Sequence, residues 1–290
     1  MGHLLNAKLS LIRNKNVPLS NTNKAIPCEI CPLAKQKRLP FTPSTHISLE
    51  CFDLIHCDLW GPFSAPTIDG CRYFLTIVDD CSRCTWVYLL KHKSQTQPTL
   101  ELFYIMIETQ FLKKLKTIRI DIRTKFLMSN FFVVVKNSIL HQLSCVETPQ
   151  QNAIVERKHE HILNMARALM FQSNVHLHFW EHFILTSVYL INRTPSSYLA
   201  HKNPFEVLFG YAPSYGHLKV FRCLCYASTL SYNRSKFAPR ARKCVFLRYH
   251  FSVKGYNVMP QTQNCPKHEK NISKLLVDFV PFGNSIQIKS

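Results

Sequence analysis

The sequence predicts a mixed α/β fold followed by a small β-domain, because strand and helix patterns alternate along most of the chain. Apolar runs rich in β-branched and aromatic residues predict strands at LIHCDLW, RYFLTIVDD, TWVYLLK and KTIRIDI. Apolar residues at helical spacing predict helices over about residues 98–114, 154–172 and 177–192. From about residue 217, short strand patterns separated by turn residues predict a small β-barrel.

Some elements carry more specific expectations. The strand patterns on either side of CSRC predict a hairpin, and we expect Asp79 and Asp80 to tie its turn. A short helix is predicted over residues 130–139, and the prolines from Pro195 to Pro213 indicate a linker-like region. The first long helix is expected to place five apolar residues near one face: Leu102, Phe103, Met106, Ile107 and Phe111.

Composition limits the class of protein and its partners. The 290 residues are 46% hydrophobic, which is enough for a core, and the net charge is +19. Such a charge favours a polyanionic partner, with nucleic acid first, although a basic protein that merely stays soluble would look similar. The start of the chain shows no secretion signal, and no apolar run reaches the roughly 20 residues of a membrane span. We therefore expect the twelve cysteines to be reduced thiols in a cytosolic or nuclear protein.

Three acids stand in settings that could bring them together. Asp58 and Asp121 lie at the ends of strand patterns, and Glu156 lies in the first turn of a long helical pattern. Carboxylates carried to one point by strands and a helix suit a site with two Mg²⁺ ions about 3.5–4 Å apart, because hard oxygen ligands fit that metal. Three unrelated surface carboxylates remain the alternative from spacing alone.

Six stretches resemble one known family and occur in its order along the chain. They are CEICPLAKQKRLPF, LIHCDLWGPF, YFLTIVDDCSRCTWVYLL, TPQQNAIVERKHEHILNMARAL, YLINRTPS and VFRCLCYAS. The sequence resembles the integrase region of Ty1/copia-type LTR-retrotransposon (Gag-Pol) polyproteins. The resemblance implies a partial GAG-pre-integrase zinc-binding segment (1–45), an RNase H-like catalytic core with a mixed five-stranded sheet and flanking helices (46–212), an SH3-like β-barrel (213–275) and a tail (276–290).

The resemblance also implies a set of catalytic residues, a reaction and partners. Asp58, Asp121 and Glu156 would be the catalytic triad and would hold two Mg²⁺ or Mn²⁺ ions. The implied reaction is polynucleotidyl transfer that joins element ends to target DNA, so double-stranded DNA is the expected partner, together with a possible homo-oligomer. The implied location is the nucleus or a cytoplasmic virus-like particle, and no membrane is involved.

The sequence departs from the family at the second acid. The family pattern Asp-Asn-Gly-x-Glu-Phe is replaced here by Asp121, Ile122, Arg123, Thr124, Lys125 and Phe126. The usual glycine of the TPQQN segment is Ala153, and 34 residues separate Asp121 from Glu156, one fewer than is usual in the family. These changes keep two other functions open: a catalytically dead nucleic-acid-binding remnant, and a protein-interaction module built on the β-barrel.

The cysteine pairs give weaker indications of metal. Cys28 and Cys31 have the spacing of half a zinc site, and the resemblance adds His3 as a third ligand, which leaves the set incomplete. Zinc binding by this segment is therefore doubtful. The Cys81-x-x-Cys84 pair is expected to be structural. Cys223-x-Cys225 would alternate along a strand, which disfavours joint ligation.

Basic residues indicate where a nucleic acid could lie. Arg157, Lys158 and Arg167 share the helix of Glu156, and they suit either phosphate contact or a solvated helix face. The resemblance favours DNA. Two further basic clusters could follow phosphates: Lys35, Lys37 and Arg38, and Arg240, Arg242 and Lys243.

Overall fold

A five-stranded sheet is the centre of the larger part of the molecule. The computed structural model describes residues 48–121, 139–144, 152–173, 175–229, 235–249, 255–260 and 277–279. The strands of this sheet are β1 (Leu54–Trp60), β2 (Tyr73–Asp79), β3 (Thr85–Leu90), β4 (Thr117–Asp121) and β5 (Leu140–Ser144). Their order in the sheet is β3-β2-β1-β4-β5.

The sheet is mixed. Strands β1, β2 and β3 pair antiparallel, whereas β1 with β4 and β4 with β5 pair parallel. The predicted hairpin and the predicted five-stranded mixed sheet, with Asp58 on its first strand, are both confirmed. The helix predicted over residues 130–139 lies outside the described residues, except for its last position.

In the part of the chain that the structure describes, four α-helices accompany the strands. They are α1 (Thr96–Met106), α2 (Ala153–Ser173), α3 (Trp180–Ile191) and α4 (Pro204–Phe209). A π-helical turn, Ile107–Phe111, extends α1 until Leu112 adopts a left-handed conformation. The predicted inner face of α1 is correct for Phe103 and Ile107 but wrong for Leu102, which is 66% exposed. Leu100 is buried instead, because the spacing from Leu100 to Phe103 and Ile107 forms one continuous helical stripe.

The linker-like region predicted from the prolines is folded against the core, so that prediction is wrong. Asn203 caps α4 by accepting a hydrogen bond from the Glu206 backbone N–H at 2.8 Å, and Pro204 occupies the first turn. Gly210 ends the helix with φ of 79°. The backbone N–H of Phe205 donates to the carbonyl of Asn192 at 2.8 Å, which ties this segment to the end of α3.

The two faces of the sheet contribute to separate hydrophobic clusters, as alternation along β2 requires. Leu75 and Ile77 pack with α1 in one cluster, whereas Phe74 packs with α2 and α3 in the other. Helix α3 is buried along nearly its whole length. The sheet that carries Asp58 is thus covered on both faces.

A second, antiparallel sheet follows. Its strands are β6 (Leu224–Ser228), β7 (Ala241–Tyr249), β8 (Tyr256–Pro260) and β9 (Val277–Phe279), in the order β8-β7-β6-β9. Strand β7 packs on α3, where the Tyr189 and Tyr249 rings stack with centroids 4.3 Å apart. Strand β9 lies in the segment that the sequence analysis treats as a tail.

Two expectations from composition can be compared with the described residues. Their cysteines are all free thiols. None of the helices in these parts of the chain has both the length and the apolar character needed to cross a membrane.

Candidate active site

Asp58 lies near the carboxyl end of β1 and keeps contact with solvent. Its side chain is 24% exposed. Oδ1 accepts a hydrogen bond from the Leu59 backbone N–H at 2.8 Å, and Oδ2 lies 3.4 Å from Nδ1 of His159. The carboxylate is therefore held on two sides within the fold and still faces outward in part.

Strand register places Asp121 beside Asp58. Strands β1 and β4 run parallel and pair Cys57 with Ile120, so the next step in the same register sets Asp121 opposite Asp58. Neighbouring strands are about 4.8 Å apart. On its other side the backbone of Asp121 pairs with Ser144. The side chain of Asp121, and the altered residues Ile122 to Phe126 that follow it, lie outside what the structure describes.

Glu156 is exposed in the first turn of α2, and contacts on both sides of it fix this turn to β1. Before it, the buried Asn152 donates through Nδ2 to the carbonyl of Cys57 at 3.3 Å. One helical turn after Glu156, His159 contacts the carboxylate of Asp58. The backbone that carries Glu156 is thus anchored to two consecutive residues of β1, Cys57 and Asp58.

His159 is fixed by its surroundings as well as by Asp58. It is 8% exposed, and its ring meets the Phe74 ring edge to face with centroids 5.5 Å apart. Phe74 in turn stacks on Trp60, at the end of β1, at 4.8 Å. Burial lowers the pKa of His159 to about 4, so this imidazole is neutral near pH 7.

The turn after β1 depends on Gly61. Its φ of +123° is one that residues with a side chain rarely adopt. A Cβ at this position would lie 2.7 Å from the carbonyl oxygen of Arg72. The backbone N–H of Phe63 then donates to the same oxygen at 2.7 Å. The Trp-Gly-Pro-Phe stretch therefore turns the chain tightly beside β2, directly after the strand that carries Asp58.

Asp79 and Asp80 tie the hairpin turn, as predicted. Asp79 accepts hydrogen bonds from the Phe52 backbone N–H at 2.7 Å and from the Ser82 hydroxyl at 2.6 Å. Asp80 lies 3.1 Å from both His56 Nε2 and an Arg83 nitrogen. Both residues are almost fully buried. Protein donors occupy these carboxylates, which makes them structural.

Asn152 and His159 contact β1 but are not among the residues that the sequence predicts for the site. Asn152 stands inside the family-like stretch TPQQNA but carried no assigned role. His159 falls on the buried stripe of α2, between Val155 and Ile162, at helical spacing from both. A polar residue on an otherwise apolar stripe is a signal that could have singled it out, because buried polar groups need partners.

The basic residues of α2 differ in their surroundings. Arg157 and Arg167 are exposed, and Arg167 donates to the side chain of Asn164 at 2.7 Å. Lys158 is partly buried, and burial lowers its pKa to about 8. Arg240, Arg242 and Lys243 are exposed around the start of β7. The cluster of Lys35, Lys37 and Arg38 lies outside the described residues.

Only some of the predicted metal ligands lie in the described part of the chain. His3, Cys28 and Cys31 lie outside the described residues. Among the side chains that are described, no three His, Cys, Asp or Glu residues stand together as a metal site requires. Cys84 and Cys225 are buried free thiols, which agrees with structural roles.

The donor set at the end of β1 suits Mg²⁺ or Mn²⁺. Asp58 and Glu156 offer carboxylate oxygens, and the register places Asp121 beside Asp58. Hard cations of this kind prefer oxygen ligands. His159 is neutral, so it adds no positive charge that would repel a cation. The chemical type of these residues therefore fits a divalent cation.

Comparison with solved structures gives weak similarity. The chain is similar to the HTLV-2 integrase catalytic core domain, which was solved in complex with magnesium in a trimeric form. The sequence identity is 16%, the TM-score is 0.41, and the match covers 55% of this chain and 98% of that one. Similarity at this level is too low to support conclusions about the chemistry of this chain.

Sequence comparison is more informative. Residues 223–270 match the family of retroviral polymerase SH3-like domains, in the region of the second sheet. Over 85% of its length the chain is 35% identical to the retrovirus-related Pol polyprotein from transposon RE2 of Arabidopsis thaliana. Over 89% it is 32% identical to the corresponding polyprotein from transposon TNT 1-94 of Nicotiana tabacum. It spans only 17% and 20% of the lengths of these two relatives. With its six motifs and its mixed sheet, the chain belongs to the retrotransposon Pol polyproteins of the Ty1/copia type.

Proposed function

We propose that this chain is the integrase segment of such a polyprotein and that its site is built for metal-dependent polynucleotidyl transfer on DNA. The observation that carries the proposal is the anchoring of α2 on β1. Asn152 binds Cys57 and His159 contacts Asp58, so Glu156 is held between two contacts to the strand that carries the first acid. The parallel register supplies the position of the second acid, Asp121.

Some of these residues would bind the cations, and others orient the helix that carries Glu156. Asp58, Asp121 and Glu156 would hold the divalent cations, which when bound activate the attacking oxygen and stabilise the leaving one. Asn152 fixes the first turn of α2. In the reaction proposed, water cleaves a phosphodiester near the DNA end, and the freed 3′-hydroxyl then attacks target DNA in line. The protein contributes position and charge, and it needs no covalent intermediate.

The charge of the chain supports double-stranded DNA as the substrate. The net charge is +19, and Arg157 and Arg167 are exposed on the helix that carries Glu156. Lys and Arg side chains in such positions bind phosphates with little preference for sequence. DNA held along α2 would lie beside the carboxylates.

A second candidate function, DNA binding without catalysis, is favoured by the residues after Asp121. Arg123 and Lys125 stand where the family has a glycine and an acid. Both add positive charge close in sequence to a proposed cation ligand, and the glycine that could take φ > 0 is lost. We therefore expect the unmodified chain to bind DNA and to show no detectable strand transfer.

A strand-transfer assay separates the two candidates. The test compares the unmodified chain with a variant that carries Ile122→Asn, Arg123→Gly and Lys125→Glu, using short duplex ends, target DNA and Mg²⁺ or Mn²⁺. The variant is expected to cleave or join DNA, and adding Asp58→Asn to it should abolish the activity. Activity that survives Asp58→Asn would contradict the proposed site. Efficient joining by the unmodified chain would contradict the second candidate.

A further inference from the structure

The contact between His159 and Asp58 has a role that the three acids alone do not explain. Nδ1 of His159 lies 3.4 Å from Oδ2 of Asp58. The other carboxylate oxygen, Oδ1, accepts the Leu59 backbone N–H at 2.8 Å. Each oxygen of Asp58 is thus next to a nitrogen of the protein, one from its own strand and one from α2.

His159 cannot easily move away from this contact. Its ring is buried and stands edge to face against Phe74. Phe74 is itself fully buried, stacked on Trp60 and close to Trp180. Because the imidazole lies in a packed aromatic environment, its direction toward Asp58 is set by the core.

The two ring nitrogens of His159 differ in their contacts. Within the described part of the chain, Nε2 of His159 is buried and has no hydrogen-bond partner. A histidine kept only for core packing would be expected to have both nitrogens satisfied or to be replaced by an apolar residue. The polar contact that the described residues give to this ring is the one with Asp58.

We propose that His159 is a positioning residue that holds the carboxylate of Asp58 in the orientation needed to bind a divalent cation. The inference rests on the proposed function, because it concerns the same site. The contact restrains one oxygen of Asp58 while the carboxylate remains free to attract a cation from its solvent side.

The test is a calorimetric titration of the whole chain with Mn²⁺. His159→Phe keeps a flat ring against Phe74 and removes the N–H, whereas His159→Gln keeps a donor. His161→Phe is the matched control, because His161 is exposed on the same helix. We expect His159→Phe to weaken Mn²⁺ binding about 10–100-fold, His159→Gln to weaken it less, and His161→Phe to leave it unchanged.

Thermal unfolding separates a positioning role from a structural one. The inference is supported if His159→Phe weakens Mn²⁺ binding while its Tm stays close to that of the unmodified chain. If that variant does not fold, His159→Leu takes its place in the same comparison. Mn²⁺ affinity unchanged by the loss of the N–H would overturn the inference and leave the proposed function standing.

Asp58→Asn identifies failure of the proposed function itself. This variant should lose Mn²⁺ binding altogether. If the unmodified chain and Asp58→Asn bind Mn²⁺ equally, or if neither binds it, the proposed site is wrong and the role of His159 falls with it.

Discussion

Two carboxylates of the larger sheet, Asp58 on β1 and Asp80 directly after β2, differ in what surrounds them. Asp80, after β2, has a side chain that is 3% exposed and contacts His56, Arg83 and Ser48. Asp58 has a side chain that is 24% exposed and is contacted by Leu59 and His159. Both stand near a buried histidine. The difference lies in how far each carboxylate reaches solvent.

This comparison distinguishes a carboxylate that stabilises the fold from one that can serve a ligand. Burial alone would raise the pKa of Asp80, but hydrogen bonds from His56 and Ser48 and the charge of Arg83 lower it well below its ordinary value. Its charge is thus used inside the protein. Asp58 has solvent on one side, where a cation could approach.

The largest expected effect concerns stability. Asp80→Asn should lower the free energy of unfolding by about 3–5 kcal/mol, because it leaves the partly buried Arg83 without its counter-charge. Asp58→Asn should lower it by less than about 1 kcal/mol, since the carboxylate is partly exposed. Urea unfolding of both variants measures the difference. Equal losses would mean that the two carboxylates are not distinguished in the way we describe.

A smaller loss of stability is expected on acidification, because His182 of α3 is buried. Burial lowers the pKa of His182 from 6.5 to about 3. Because the unfolded chain binds this proton first, stability is complete above about pH 6.5 and falls as the pH drops toward 3. One such group contributes a slope of about 1.4 kcal/mol per pH unit. Urea unfolding between pH 7 and pH 5 measures the slope, and His182→Phe should reduce it. The same slope in that variant would assign the acid sensitivity to other groups.

The smallest effect concerns DNA binding by neighbouring residues of α2. Arg157 is exposed, whereas Lys158 is partly buried and its pKa is lowered to about 8 by that burial. Arg157→Ala should reduce the slope of log affinity against log salt by about 0.9, as the loss of one phosphate contact requires. Lys158→Ala should change the slope less. Fluorescence anisotropy with a short duplex at several salt concentrations measures both. Equal slopes for the two variants would show that the burial of Lys158 does not limit its contact with DNA.

Much of the fold follows from local patterns. The β2–β3 hairpin was predictable because β-branched and aromatic residues flank a compact turn, and α2 was predictable because its apolar stripe persists from Val155 to Ala166. The segment around α4 is a short helix where the prolines predict a linker. Asn203, Pro204 and Gly210 are its start and stop signals.

The sequence singles out three acids but not the residues that contact them. The roles expected of Asp58, Asp121 and Glu156 rest on the resemblance, which identifies positions but not contacts. The contacts of Asn152 with Cys57 and of His159 with Asp58 join residues about a hundred positions apart. Local propensity says nothing about such pairs, because they depend on how α2 crosses β1. Only the folded chain shows which residues anchor Glu156.

The most direct test of the central claim is to locate a bound Mn²⁺ ion by anomalous scattering in crystals of the chain. We predict a peak at the carboxyl end of β1, with Asp58 oxygen about 2.0–2.2 Å from the ion, as expected for a hard cation. No peak is expected at Asp79 or Asp80, whose oxygens are occupied by protein donors. A peak at the hairpin turn, or crystals saturated with Mn²⁺ that show none beside Asp58, would contradict the account.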